Sequence, residues 1–196
     1  HGESDHPGEY SLTGYASDVI ETCPGPWPLV IGHSLGGATA VRASSLNPDF
    51  AEAYLLIDPA IDFDPVAAET VRTALVADVA EPPTIEQLLA ERPQWRRGDA
   101  ERKRDALLAT SVEVMNRSFA DNRDWGLGGE LSRIPAPVHL LGAEEEPLYT
   151  AAAVARHQAN GGDLTIELVP RTGHSIHRDD PETVLARALG LLNPEL

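Results

Sequence analysis

The sequence predicts an α/β fold: a mostly parallel sheet flanked by helices, with a helical block inserted between two of its strands. Three observations predict it. Short, wholly apolar runs alternate with longer helical stretches at both ends of the chain, as parallel strands do when helical crossovers bury them on both faces. From Ile61 to about Arg133 no convincing strand occurs, only helical segments separated by prolines. The strand rhythm then resumes and continues to the end of the chain.

Taken in order, Ser11 to Thr22 reads as a helix with Leu12, Tyr15 or Ala16, and Val19 on one face, the spacing of a 3.6-residue period. Cys23-Pro24-Gly25-Pro26 breaks it. Pro28 to Gly32 is an apolar run suited to a central strand, and the Ala-rich helix after it ends at Asn47-Pro48. Tyr54 to Ile57 is a second buried strand, stopped by Asp58-Pro59. In the inserted block Val71, Leu75 and Val79 fall at helical spacing, and Thr84 to Gln87 reads as a capping box. Leu108, Val112, Met115 and Phe119 form an apolar stripe on a third helix, read as a packing surface. Arg102-Lys103-Arg104 reads as a solvated helix face. Pro137 to Gly142 and Leu164 to Val169 are strands; Thr150 to Gln158 and Pro181 to Leu192 are helices. The chain therefore divides into core (1–60), helical cap (61–133) and core again (134–196).

Its 196 residues suffice for one core with an inserted lobe. Apolar residues make up 42% and charged residues 23%, ordinary for a globular chain. No apolar run approaches the ~18 residues of a membrane span. Acidic residues outnumber basic ones by 31 to 15, a formal net charge of −16. Such a surface repels phosphate backbones and anionic lipid, which excludes nucleic acid and membrane surfaces as partners. Cys23 is the only cysteine, so no internal disulfide forms, in keeping with a reducing, cytoplasmic setting. Flanked by Pro24-Gly25-Pro26, it reads as a bystander thiol. His1 to Tyr10 is polar and lacks the basic-then-apolar layout of a signal peptide.

The residues that carry chemistry are Gly32-His33-Ser34-Leu35-Gly36-Gly37, set between a buried strand and a helix. A serine on a tight strand-to-helix turn is held in a strained conformation with its hydroxyl above the sheet edge, and flanking glycines let the chain double back. The helix N-terminus favours developing negative charge, and the Leu35 backbone N–H is placed as one oxyanion donor. A serine hydroxyl also needs a neighbouring imidazole to take its proton near neutral pH. His174 lies on a loop after a strand, where it can supply one. His177, three residues on, reads as a surface residue, and His33, His139 and His157 read as structural.

With these motifs the chain resembles the α/β-hydrolase superfamily along its length. His1-Gly2-Glu3-Ser4 looks like the tail of the family's Gly-His-Gly-x-Ser segment, Gly32 to Gly37 like its nucleophile elbow, and Asp58-Pro59-Ala60 like the end of its sixth strand. Gly173-His174-Ser175 resembles its histidine loop, and the order serine, acid, histidine is the family's. The resemblance implies Ser34 as nucleophile, His174 as base, and a carboxylate a few residues past Gly142. That points first to Glu145, with Glu144 and Glu146 beside it, and with Asp58 as the alternative some lipase-like members use. It also implies that the family's first strands, with the loop giving a second oxyanion N–H, would precede His1. A missing N-terminal segment or another chain would then complete the sheet. The activity implied is hydrolysis of an ester, lactone or related acyl compound, a small-molecule substrate, with no metal or organic cofactor. Lyase or cofactor-free peroxidase chemistry, or an inactive truncated domain, are the competing expectations.

Overall fold

The computed structural model describes residues 4, 8–62, 65–123, 125–145, 147–149, 151–159 and 163–193. His1, Gly2 and Glu3 of the Gly-His-Gly-like segment, and the acid candidate Glu146, lie outside the described residues. Four strands, β1 (Val30–His33), β2 (Tyr54–Ile57), β3 (Val138–Ala143) and β4 (Leu164–Val169), form one parallel sheet in the order β1-β2-β3-β4. All four begin level, with Val30, Tyr54, Val138 and Leu164 in register. β3 and β4 run two residues beyond the others, so the loops after β1 and β2 leave the sheet just short of those after β3 and β4.

The two interior strands explain why the apolar runs lack alternation. Tyr54, Leu55, Leu56 and Ile57 are all buried, because helices cover both faces. On one face Leu55, Ile57, Leu141, Ala143 and Val169 pack with Ile176 and Ala188, from α9 (Ile176–Asp179) and α10 (Pro181–Leu192). On the other, Val30 joins Ala16, Ala43 and Phe50, which brings in α1 (Leu12–Thr22) and α2 (Leu35–Leu46). Ala-rich α2 lies close to the sheet; Ala38, Val41 and Ala43 are fully buried. Outer strand β1 leaves Ile31 half exposed.

The chain forms two compact units. The larger, Leu12–Phe63 with Trp125–Leu196, holds the sheet with α1, α2, α7 (Gly128–Leu131), α8 (Ala151–Ala159), α9 and α10. The smaller, His1–Ser11 with Asp64–Asp124, holds α3 (Pro65–Ala80), α4 (Ile85–Glu91), α5 (Arg97–Leu108) and α6 (Val112–Ala120). Within it Thr84 caps α4 in a full capping box with Gln87. Arg104 is not merely solvated: its guanidinium donates to the carbonyls of Pro82 and Pro83, joining α5 to the turn before α4. The stripe of Leu108, Val112, Met115 and Phe119 does not lie on one helix. The chain breaks at 109–111, where Ser111 accepts from the Val114 N–H and starts α6 anew. That break rotates the face: Leu107 and Val114 are buried, while Leu108 is 60% and Val112 36% exposed.

Candidate active site

Ser34 follows β1 directly and is the N-cap of α2, with φ 55° and ψ −120°. This backbone region is costly for any residue with a Cβ and persists only where the surroundings over-determine it. Here they do. The Ser34 N–H donates to Ile57 on β2, while its carbonyl accepts from Gly37, Ala38 and Ala60. Two glycines make room for the turn. A Cβ on Gly32 would stand 2.7 Å from the Gly36 carbonyl oxygen, and one on Gly37 would stand 2.6 Å from Pro59. Gly36 itself has open space around it. The second spatial requirement of the turn is thus Gly37 rather than Gly36. Leu35, the oxyanion donor expected from sequence, opens α2 as its first residue.

His174 sits past β4 on a loop fixed at several points. The Gly173 N–H donates to Asp179 at 2.8 Å, the Thr172 hydroxyl donates to the Val169 carbonyl, and Ile176 is fully buried beneath it. The His174 ring is partly exposed, with Nδ1 2.6 Å from Asp58 Oδ2. Asp58 has no exposed surface, and its carboxylate also accepts from the backbone N–H groups of Leu148 (3.1 Å) and Tyr149 (3.2 Å). A carboxylate withdrawn from water requires such donors. Asp58 accepts from His174, so Nδ1 carries a proton.

The structure therefore brings Asp58, and not Glu145, to the imidazole. Glu145 is exposed and offers its backbone instead, donating its N–H to the Thr172 carbonyl. Glu144 accepts from the Arg171 N–H. The physical reason lies in the strand ends. Asp58 comes one residue after β2, with φ 37° and its N–H on Leu141 of β3, so its side chain is enclosed by the longer β3 and its loop. Residues 144 and 145 come after β3 has already outrun its neighbour, on the surface.

The remaining histidines separate clearly. His139 bonds Glu167 within the sheet at 3.0 Å. His157, nearly inaccessible, bonds Asp62, which also accepts from the Gly128 N–H. His33, which the sequence suggests is structural, lies against the site. Its Nε2 is 2.9 Å from the His174 carbonyl, and its ring lies 4.6 Å from that of His174 and 4.5 Å from that of His177. Its position next to Ser34 is the only sequence signal for this. Cys23 is exposed. Among the described residues no group of His, Cys, Asp and Glu side chains is arranged to hold a metal ion, and no helix is long and apolar enough to cross a membrane.

A family profile described as "Alpha/beta hydrolase family" matches residues 1–188. The chain is 29% identical over 203 residues to 2-(acetamidomethylene)succinate hydrolase of Mesorhizobium japonicum, spanning 94% of this chain and 72% of that protein. Among solved structures, that of an E-2-(acetamidomethylene)succinate hydrolase superposes with a TM-score of 0.76 at 26% identity, covering 98% of this chain and 78% of the other. An esterase from Exiguobacterium antarcticum gives the same TM-score at 17% identity, with the same coverage, which speaks for the fold.

Proposed function

The chain belongs to the alpha/beta hydrolase family and is an enzyme of that hydrolase fold, and on that footing we propose that it is a serine hydrolase using Ser34, His174 and Asp58. The observation that carries this reading is the 2.6 Å bond between His174 Nδ1 and the buried Asp58, on the same sheet edge as a strained elbow serine. Asp58 holds the ring as the Nδ1–H tautomer, which leaves Nε2 to take the proton of Ser34 Oγ as that oxygen attacks a carbonyl carbon. The Leu35 N–H stabilises the resulting oxyanion at the start of α2. The imidazolium then returns its proton to the leaving group, and water, activated by the same nitrogen, releases the acyl group from Ser34.

The substrate proposed is an uncharged or weakly polar ester, lactone or related acyl compound. Because one relative is named for an acetamido compound, small N-acetyl amides belong in the same screen. The test is covalent labelling by a fluorophosphonate followed by peptide mass spectrometry. Modification should fall on Ser34, and Ser34→Ala should lose both the label and at least about a thousandfold in turnover. Labelling elsewhere, or turnover surviving in the pure Ser34→Ala protein, would overturn the assignment.

A further inference from the structure

We propose that His33 is a positioning residue for the base: its ring N–H holds the His174 carbonyl and so locks the histidine loop against the nucleophile elbow. The proposal rests on the reading of His174 as that base. Sheet order supplies the need for such a lock. His174 leaves from β4, while Ser34 leaves from β1 at the other side, with β2 and β3 between them. At about 4.8 Å per strand the loop must reach across roughly 14 Å, and ladder hydrogen bonds do not join non-neighbouring strands. Asp58 restrains the His174 ring from β2, but through one nitrogen only.

The missing restraint comes from β1. His33 is the last residue of that strand and is joined directly to Ser34. Its Nε2 lies 2.9 Å from the His174 carbonyl oxygen. A carbonyl only accepts, so Nε2 must carry the proton and Nδ1 must not. The element that places the nucleophile thus also grips the main chain that carries the base. The His33 ring also packs against the rings of His174, at 4.6 Å, and His177, at 4.5 Å.

The lock must also stay neutral. A second cation 4.6 Å from His174 would oppose the imidazolium that forms during proton transfer. Burial first, and the neighbouring His174 second, push the His33 pKa down to about 3, against the weaker upward pulls of its own bond to the His174 carbonyl and of the Asp58 charge; His177 pushes it further down. His33 therefore keeps a single tautomer, and a single donor, wherever His174 works.

The experiment compares His33→Phe, which keeps a ring but loses the donor, with His33→Gln, whose amide N–H can reach the same carbonyl. Steady-state kinetics on an activated ester are measured across pH, beside the downfield proton resonance of the His174 Nδ1–H bonded to Asp58. His33→Phe should lower kcat about ten- to a hundredfold, as small misplacements of a base do, with KM little changed and the His174 resonance broadened or lost. His33→Gln should recover most of the rate and the resonance. Should the Phe protein not fold, His33→Ala with imidazole added makes the same comparison. A folded Phe or Ala protein with wild-type kcat, pH profile and resonance overturns the proposal, as does a Gln protein as impaired as Phe. If the wild type fails to label at Ser34, the serine-hydrolase reading falls, and the resonance alone still decides whether His33 holds His174.

Discussion

Asp58 and Glu145 are both carboxylates just past the end of a strand, and it is Asp58 that bonds the His174 imidazole. What separates them is enclosure. Asp58 is fully buried and saturated with donors, so replacing it by Asn leaves the geometry but reverses what the group can accept from Nδ1. We expect Asp58→Asn to lower kcat/KM by about 10⁴, as loss of the orienting carboxylate does elsewhere, while Glu145→Gln stays within a few-fold of the wild type. Both are read on a simple ester with protein checked for a native melting transition. A damaging Glu145→Gln beside a harmless Asp58→Asn would show that the acid lies after β3.

The elbow joining β1 to α2 works as one piece because backbone meets backbone. Adding a methyl at Gly32 would press on the Gly36 carbonyl, and at Gly37 on Pro59, whereas at Gly36 it meets nothing. Gly32→Ala and Gly37→Ala should each destabilise by about 1–3 kcal/mol, the usual cost of overpacking. Gly36→Ala, within α2, should be neutral or stabilise by up to about 1 kcal/mol. Urea midpoints settle the order, and equal losses at all three sites would refute it. Across the sheet, β3, β4 and α10 meet at Glu167, which accepts two bonds from Arg187 at 2.6 and 2.8 Å and one from His139. The Arg187 guanidinium is the largest cause holding the Glu167 carboxyl below its usual range. A depressed carboxyl pKa stabilises the fold above the unfolded value of 4.5 and loses that contribution as pH falls through the folded value. Both side chains are partly exposed, so solvent screening limits the pair to about 0.5–1 kcal/mol. Arg187→Leu should therefore cost about that much at pH 7 and nothing near pH 2. A cost that persisted undiminished in acid would mean that packing, not charge, is what Arg187 supplies.

With a formal net charge of −16 on 196 residues, the molecule repels itself. Compaction brings those charges together, and salt at about 0.5 M, where the screening length falls to a few Å, relieves the repulsion. The melting temperature should rise between about 0.02 and 0.5 M NaCl. A fall would show that ion pairs such as Arg42–Glu130 and Arg187–Glu167 outweigh the net charge. Ser34, Asp58 and His174 all belong to the larger of the two units.

Features that depend on neighbours along the chain are legible in the sequence. The strand runs, the Thr84 cap, the elbow at Ser34 and the histidine loop at His174 are local patterns, and each is legible because its physics is local: burial on both faces, an N-cap bond, a turn that only glycine permits. Even here the Leu108–Phe119 stripe misled, because apolar spacing persists across a break that one serine cap creates. Contacts remote in sequence are what bring Asp58 to the His174 ring and His33 to the His174 carbonyl. β2 and β3 are parallel neighbours in register at Ile57 and Leu141, so the loops carrying Asp58 and Glu145 reach the same edge, and spacing cannot tell which carboxylate is enclosed. The contact between His33 and His174 spans 141 positions of chain. It exists only because three strand crossings return β4's loop to the end of β1, a distance no local pattern encodes.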